Sequence, residues 1–272
     1  MSNRLAALAL AVFSTAVLHG EDAVQSRPIT SSYALEAGFS SMADTYLTPL
    51  RYNGARLALS GRWDKMMPAN PQRLSMEMNA MVETALDANP AGNANMYDLT
   101  LQYDWGMSYV WKPAPAWRVA AGGAAGFAAG VTYLPRNGNN PASAHADIML
   151  LLRARGEWHT RLGRCPVIVT DCVTLPTVGA FFSPEYGESY YEISLGNRHG
   201  LVHTGWWGNH FRIDNLLSAE FVFAKRSLTV GYRYKVDSSW VNSLNTQRVS
   251  HSLVVGVTFG AARRAMHKNM ER

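Results

Sequence analysis

The sequence predicts an all-β chain: a closed, antiparallel transmembrane β-barrel of about twelve strands, with short periplasmic turns and longer extracellular loops. Three observations carry this expectation. Apolar residues recur with period two, the alternating stretches outrun the strands of soluble sandwiches, and short connections alternate with longer ones along the chain.

The period is clearest in two stretches. Leu74, Met76, Met78, Ala80, Val82, Thr84 and Leu86 alternate with Ser75, Glu77, Asn79, Met81, Glu83 and Ala85. Tyr97, Leu99, Leu101, Tyr103, Trp105, Met107, Tyr109 and Trp111 alternate with mostly polar or small residues from Asp98 to Val110. A helix would scatter either set around its circumference, whereas a strand gathers it on one face. The same alternation recurs near 32–42, 53–64, 73–87, 95–112, 116–134, 145–162, 166–182, 189–196, 201–207, 210–224, 227–240 and 248–260. Several of these reach the ~9–11 residues that a tilted strand needs to cross a bilayer. Their apolar faces carry Trp, Tyr, Met and Leu, and their polar faces carry Glu, Asp, Arg and Gly, as a wall between lipid and a polar lumen requires.

If the first strand runs outward, every second connection is periplasmic. Lys112–Ala116, Leu162–Arg164, Asn197–Gly200 and Ala224–Arg226 are the short ones on that count, with Met66–Arg73 a longer exception. Ala43–Tyr52, Leu134–Ala144, the modest Ser183–Glu188 and Ser239–Gln247 fall on the extracellular side. Aromatics cluster where the membrane interfaces should lie: Trp63, Trp111, Trp117 and Phe259 on the periplasmic side, and Tyr97, Tyr133, Trp206 or Trp207, and Trp240 on the outer side. Pro166 and Pro176 weaken the stretch 166–182, because proline gives the ladder no donor. Gly122, Ala124, Gly126, Ala128 and Gly130 share the inward parity of one strand and leave room in the lumen.

Arg4 followed by the apolar run Leu5–Leu18 reads as a secretory signal peptide over residues 1–20. A short periplasmic segment (21–31), the barrel (32–260) and a basic tail (261–272) complete the domain plan. Composition agrees with export to a membrane. Of 272 residues, 47% are hydrophobic but only 17% are charged, against roughly 25% charged in an ordinary soluble domain. The net charge of +5 comes partly from the tail, so it makes no case for a nucleic-acid partner. Cys165 and Cys172, if extended, stand ~23 Å apart at ~3.3 Å per residue, too far for a disulfide, and no ligand spacing points to a metal or cofactor. Arg198–His203 and Gly208–Asn215 read as turn and rim chemistry.

Inward parity gives the lumen the carboxylates Glu77, Glu83, Asp98, Asp104, Glu157, Asp214, Glu220 and Asp237. It also gives it the cations Arg153, Arg155, Arg212, Arg233 and Lys235. Such balanced charges either hold the barrel shut as an ion-pair network or line a narrow channel for small polar solutes. On the outward parity, Asn215, Ser238 and His251 interrupt apolar rows. Folded about loops at Ala224–Arg226 and Ser239–Gln247, they offer an alternative: a lipid-facing Ser–His–Asn acyl hydrolase. A scaffold subunit of a secretion or uptake assembly is a further alternative, and the expected partners are outer-membrane lipids and outer-membrane proteins.

At His203–Asn215 (HTGWWGNHFRIDN) and Val241–Gly260 (VNSLNTQRVSHSLVVGVTFG), the chain resembles a family of uncharacterised outer-membrane β-barrel proteins of Gram-negative bacteria. The resemblance covers about Tyr33 to Gly260. It implies the barrel and an outer-membrane location, and brings neither a reaction nor a catalytic residue. Barrels of this kind commonly end on an aromatic residue, whereas here Phe259 is followed by Gly260–Arg272.

Overall fold

The structure is a computed structural model that describes residues 29–260, apart from residues 186, 197–199 and 224. The expected leader and the whole of the expected tail, 261–272, lie outside the described residues. The described residues form eleven strands, each opposite in direction to the one before it except that β9 continues the direction of β8: β1 (Thr30–Asp44), β2 (Tyr52–Met66), β3 (Leu74–Ala88), β4 (Asn95–Ala114), β5 (Trp117–Tyr133), β6 (Ala142–Leu162), β7 (Cys165–Phe182), β8 (Val202–Trp206), β9 (His210–Val222), β10 (Ser227–Val241) and β11 (Leu244–Phe259). A short helix, α1 (Tyr190–Ser194), lies between β7 and β8. Thr30 and Ser31 already belong to β1, so the strand begins earlier than the sequence plan placed it.

Neighbours in sequence pair as antiparallel hairpins except β8 and β9, and β1 pairs with β11 to close the sheet on itself. Apart from one side of the short β8 at the loop end, closure leaves the wall no free edge, so its backbone groups are satisfied within it, the condition for crossing hydrocarbon with strands. From Leu35, the paired rungs through β2, β3, β4 and β5 arrive at Ala146 on β6. In the other direction, through β11, β10, β9 and β7, they arrive at Trp158 on that same strand. The stagger around the barrel is therefore 158 − 146, or twelve residues, which tilts the strands at roughly 35–45° to the barrel axis.

The wall has ten staves, not about twelve. β8 and β9 both lie antiparallel along β7, β8 opposite Val178–Phe182 and β9 opposite Val167–Thr174. They are one stave interrupted at Trp207–Asn209. Pro176 sits opposite the interruption, where a proline has no N–H to give, and the β6–β7 register shifts there between Leu150 and Leu151. The Trp207 indole N–H donates to the Pro176 carbonyl and seals the break. The stretch 189–196 is a loop carrying α1. Ser189 and Glu192 form a reciprocal capping box, and the chain leaves the helix through Gly196 at φ 110°.

These two corrections rearrange the connections. The start of β1 at Thr30, the end of β11 at Phe259 and the connections 67–73, 115–116, 163–164 and 223–226 lie at one end, here the turn end. The segments 45–51, 89–94, 134–141, 183–201 and 242–243 lie at the other, the loop end. The turn expected at Asn197–Gly200 falls mostly outside the described residues; Gly196 before it and Gly200 at its end belong to the connection between β7 and β8, at the loop end. The connection expected at Ser239–Gln247 is a two-residue turn: Asn242 and Ser243 both have positive φ (52° and 60°), the conformation that matches strand twist in a tight hairpin.

Side-chain polarity is inverted relative to a soluble domain. Phe39, Leu59, Ile148 and Leu253 are 75%, 63%, 64% and 68% exposed, while Glu36, Asp87 and Glu157 are buried. An aliphatic side chain left in water forgoes about 1.5–3 kcal/mol relative to burial, so this belt calls for an apolar solvent. Aromatic girdles bound it. Trp117 and Trp158 stack at 6.2 Å near the turn end, and Tyr97 and Tyr133 meet at 6.5 Å near the loop end.

The glycine–alanine strand leaves no empty wall. A Cβ on Gly126 would fall 2.7 Å from Leu151 Cδ1, and one on Gly130 would fall 2.3 Å from His145 Nε2. These glycines admit inward side chains of β6, and Ala124, Met149 and Leu151 pack there as a small buried cluster. Cys165 and Cys172 are both free thiols on β7.

Candidate functional site: a charge-filled lumen

The inward parity of the strands brings charges from distant parts of the chain into a closed ring, where they pair across it. In the layer nearest the turn end, Glu77 on β3 is the hub. Its carboxylate accepts from Arg62 (2.7 Å), Arg153 (2.9 Å) and Arg155 (3.0 Å). Arg153 also reaches Asp104 (2.7 Å) and Arg155 reaches Asp64 (2.8 Å), while Asn79 donates to both Glu77 and Asp104. Glu157 lies 3.5 Å from Arg118 and 3.4 Å from the Arg155 Nε. Residues of β2, β3, β4 and β6 are thereby tied together through the interior.

The middle layer spans the full width. Lys235 on β10 pairs with Glu83 on β3 at 2.7 Å, and Arg56 on β2 binds Glu83 and Glu36. Arg233 reaches Glu36 (3.1 Å) and Asp214 (2.9 Å). Toward the loop end, Arg212 bridges Asp147 (2.5 Å) and Asp237 (2.8 Å). Arg248 lies 3.6 Å from Asp98 and donates to His145 Nδ1 at 2.6 Å. Asp98 also accepts from Thr100 and Thr132. Glu220 is buried on the same inner face of β9.

Asp147, His210 and Asp237 bring ligand-type atoms within 4.8 Å of one another. The Arg212 guanidinium lies between the two carboxylates and supplies the positive charge that a cation would otherwise bring, so this set reads as an ion-pair layer.

Two spaces remain. A chamber of about 160 Å³ lies among Glu77, Asn79, Asp104, Cys172, Asp214 and Arg233. A vestibule of about 870 Å³ opens at the turn end between Asp64, Lys65, Arg73, Lys112 and Arg118. The loop end is covered. Met42, Tyr52 and Met96 from the wall bury against Leu47, Ala94 and Leu134 from the loops. The loop 183–201 folds over this cap: the Tyr46 hydroxyl donates to the Glu188 carbonyl at 2.8 Å, and the Tyr46 and Tyr190 rings meet edge-on at 5.7 Å. Burial, followed by the neighbouring Tyr190 and Glu188, pushes the Tyr46 phenol up to about 12. Burial likewise raises Tyr190. The Asn242 amide fastens the far side of the loop through the carbonyls of Pro184 and Gly200.

The lipid-facing hydrolase set is not assembled. Because the β10–β11 hairpin turns at Asn242–Ser243, Ser238 stands opposite Gln247 and Phe211, while His251 and Asn215 both stand opposite Tyr234. Ser238 is four rungs from either partner, ~13 Å along the strand. Ser238 and Gln247 instead share the loop-end interface with Ser41, which accepts from Arg51. What Asn215 does meet is Asp171, at 2.6 Å. Asp171 escapes sequence reasoning because the prolines of β7 obscure its parity; the signal is a carboxylate between the outward residues Val169 and Val173.

A closed ten-stave antiparallel barrel, apolar outside between aromatic girdles and charged within, defines the class of outer-membrane β-barrel folds. Residues 4–262 match DUF3316, a family of proteins of unknown function, and the chain belongs to that family. Among solved structures, the outer membrane protease OmpT from Escherichia coli is similar at a TM-score of 0.55 and 8% identity, over 88% of this chain and 99% of that one. The transport unit of the autotransporter AIDA-I from Escherichia coli follows at a TM-score of 0.48 and 8% identity, covering 93% and 95%. At such identities the likeness to OmpT is one of fold. No curated protein matches the sequence.

Proposed function

We propose that this protein is an outer-membrane β-barrel with its turn end toward the periplasm, and that it serves as a structural barrel plugged at rest by its own charges. The observation that carries this reading is the set of ion pairs crossing the interior from opposite walls, with Lys235–Glu83 and the Glu77 hub at its centre. The covered loop end supports it from the other side: a solute arriving through the vestibule meets first the Arg62–Glu77–Arg155 layer and then the cap. A narrow channel for small polar solutes is the second reading, favoured by the chamber and the vestibule; it requires both the ion pairs and the cap to move. Planar-bilayer recording tests the choice. Wild-type protein reconstituted from detergent is expected to give no stepwise conductance, and steady ohmic steps from wild type would overturn the plugged reading in favour of the channel.

A further inference from the structure

Among the described residues, Lys65 is the one lysine or arginine that a strand carries on its outward parity. On β2 that parity runs Asn53, Ala55, Leu57, Leu59, Gly61, Trp63 and Lys65, so polar residues bracket an apolar row. The brackets are 65 − 53, or twelve residues, apart, which is ~40 Å along the strand. At a tilt of roughly 40° they stand ~30 Å apart across the wall, the thickness of a bilayer's hydrocarbon core. Leu59 thus lies at mid-wall, and Lys65 lies at the turn-end boundary, the level of lipid headgroups. No ion pair among the described residues involves the half-buried Lys65.

Between those two levels the wall is hollow. An outward groove of about 700 Å³ runs from Leu59 and Val82 at mid-wall to Tyr33 and Trp63 at the girdle. Gly61 and Ala80, opposite each other on β2 and β3, form its floor because they raise at most a methyl group. A Cβ on Gly61 would fall 2.8 Å from Trp63 Cη2, so the glycine lets the indole lie along the wall. The Trp63 indole N–H donates to the Tyr33 hydroxyl at 3.3 Å and closes that end of the groove. The groove therefore spans the hydrocarbon depth of one leaflet and ends two residues short of Lys65.

Charge around that end has one sign. The Arg73 guanidinium donates to the hydroxyl of outward Tyr109 at 2.7 Å, on β4, two strands from Lys65. Lys112, Arg161, Arg164 and Arg226 are exposed elsewhere on the turn-end rim. The carboxylates described there, Asp64 and Glu157, point inward to their own arginines. A zwitterionic headgroup would bring an ammonium that meets only cations, whereas an anionic headgroup meets no such conflict. We propose that the groove holds an acyl chain of an anionic phospholipid of the phosphatidylglycerol type, with its phosphate paired to Lys65. The inference rests on the reading that the belt lies in a bilayer, with the turn end at one headgroup layer.

Native mass spectrometry of the purified barrel, released from micelles holding equal amounts of phosphatidylglycerol and phosphatidylethanolamine, tests it. Wild type is expected to retain the glycerol lipid about five-fold over the ethanolamine lipid, as ~1 kcal/mol for one basic residue at a headgroup layer implies. Lys65→Gln should bring that ratio to about one with lipid still retained. Ala80→Phe, which fills the groove and leaves the lumen untouched, should lose most of the retention of both lipids. Val131→Ala, outward on β5 and far from the groove, should change neither. Heat-modifiable migration on gels checks that each variant is folded. Equal retention of the two lipids by wild type, an unchanged ratio in Lys65→Gln, or unchanged retention in Ala80→Phe would overturn the site. So would a lipid-free dimer, in which a second copy covers the groove. Failure of wild type to insert into liposomes would instead overturn the membrane reading beneath it, a result distinguishable from lost selectivity in an inserted barrel.

Discussion

The Lys235 ammonium on β10 sits 2.7 Å from Glu83 Oε1 on β3, so one ion pair joins walls four staves apart. Glu83 serves Arg56 as well, and its removal leaves Lys235 without a carboxylate and Arg56 with Glu36 alone. Removing one partner of a buried pair typically costs about 3–5 kcal/mol, whereas replacing a whole pair with apolar groups is often near neutral. Glu83→Ala is therefore expected to lose stability in that range in urea unfolding from micelles. Glu83→Leu combined with Lys235→Met should lose distinctly less, because it leaves no buried ammonium without a carboxylate and Arg56 keeps Glu36 in either case. Equal losses would mean that the pair does not bridge the lumen.

The chamber carries a natural reporter. Cys172 faces it, behind the Arg62–Glu77–Arg155 layer as seen from the vestibule. In a Cys165→Ser background, a charged methanethiosulfonate reagent is expected to leave Cys172 unmodified in wild type. Glu77→Ala with Arg155→Ala should raise the labelling rate at least ten-fold by opening the layer. Rapid labelling of the otherwise wild-type interior would mean that the plug is leaky, and mass spectrometry of the intact chain reads either result.

Period two made the wall legible in the sequence, since a residue's parity alone sorts Glu77, Arg153 and Lys235 from Leu59, Leu150 and Tyr232. The number of staves was less legible. Eight residues from 189 to 196 fit a weak alternation, but the Ser189–Glu192 capping box and Gly196 win locally because no neighbouring strand is there to pair. The break between β8 and β9 depends on Pro176, which lies more than 30 residues upstream, so no local window contains its cause. The hydrolase geometry failed on one turn. Asn242–Ser243 reverses the chain in two residues, and every partner beyond it follows from that register.

The inward glycines of β5 give a graded packing test. At Gly130 an added Cβ meets the Leu99 carbonyl at 2.4 Å as well as His145, and backbone cannot yield cheaply. At Gly126 it meets only the flexible Leu151 side chain, and at Gly156, an outward glycine of β6 that serves as the control, it meets nothing within 4 Å. Gly130→Ala is expected to destabilise by about 1–3 kcal/mol through overpacking, Gly126→Ala by less, and Gly156→Ala hardly at all. Unfolding midpoints in denaturant give the order, and a reversed order would place the β5–β6 register in error.

The cap titrates at high pH. The Tyr46 phenol, ordinarily near 10, is raised to about 12 when the loop packs over it. A raised phenol means that the packed state favours the neutral form. Its contribution is therefore full below pH 10 and is lost as pH climbs from 10 through about 12. Protease nicking of loop 183–201, with brief exposure at each pH, should stay slow up to pH 10 and quicken above it. Tyr46→Phe, which cannot ionise but loses the hydrogen bond to the Glu188 carbonyl, should nick faster at neutral pH and show a flatter rise. A wild-type rise already complete by pH 10 would place Tyr46 in water.

Asp171 and Asn215 satisfy each other on the lipid face. A carboxylate there, near mid-wall, works against insertion, by less than the about 2–4 kcal/mol found for Lys or Arg at the bilayer midplane. Asp171→Leu is therefore expected to stabilise the barrel by about 1 kcal/mol in folding from urea into lipid vesicles. The Asn215 amide, which donates to Asp171 at 2.6 Å, then lacks an acceptor, so Asp171→Leu with Asn215→Leu should gain more than the sum of the two single changes. Strict additivity of the two changes would mean that the Asn215 amide does not serve Asp171 in the folded barrel.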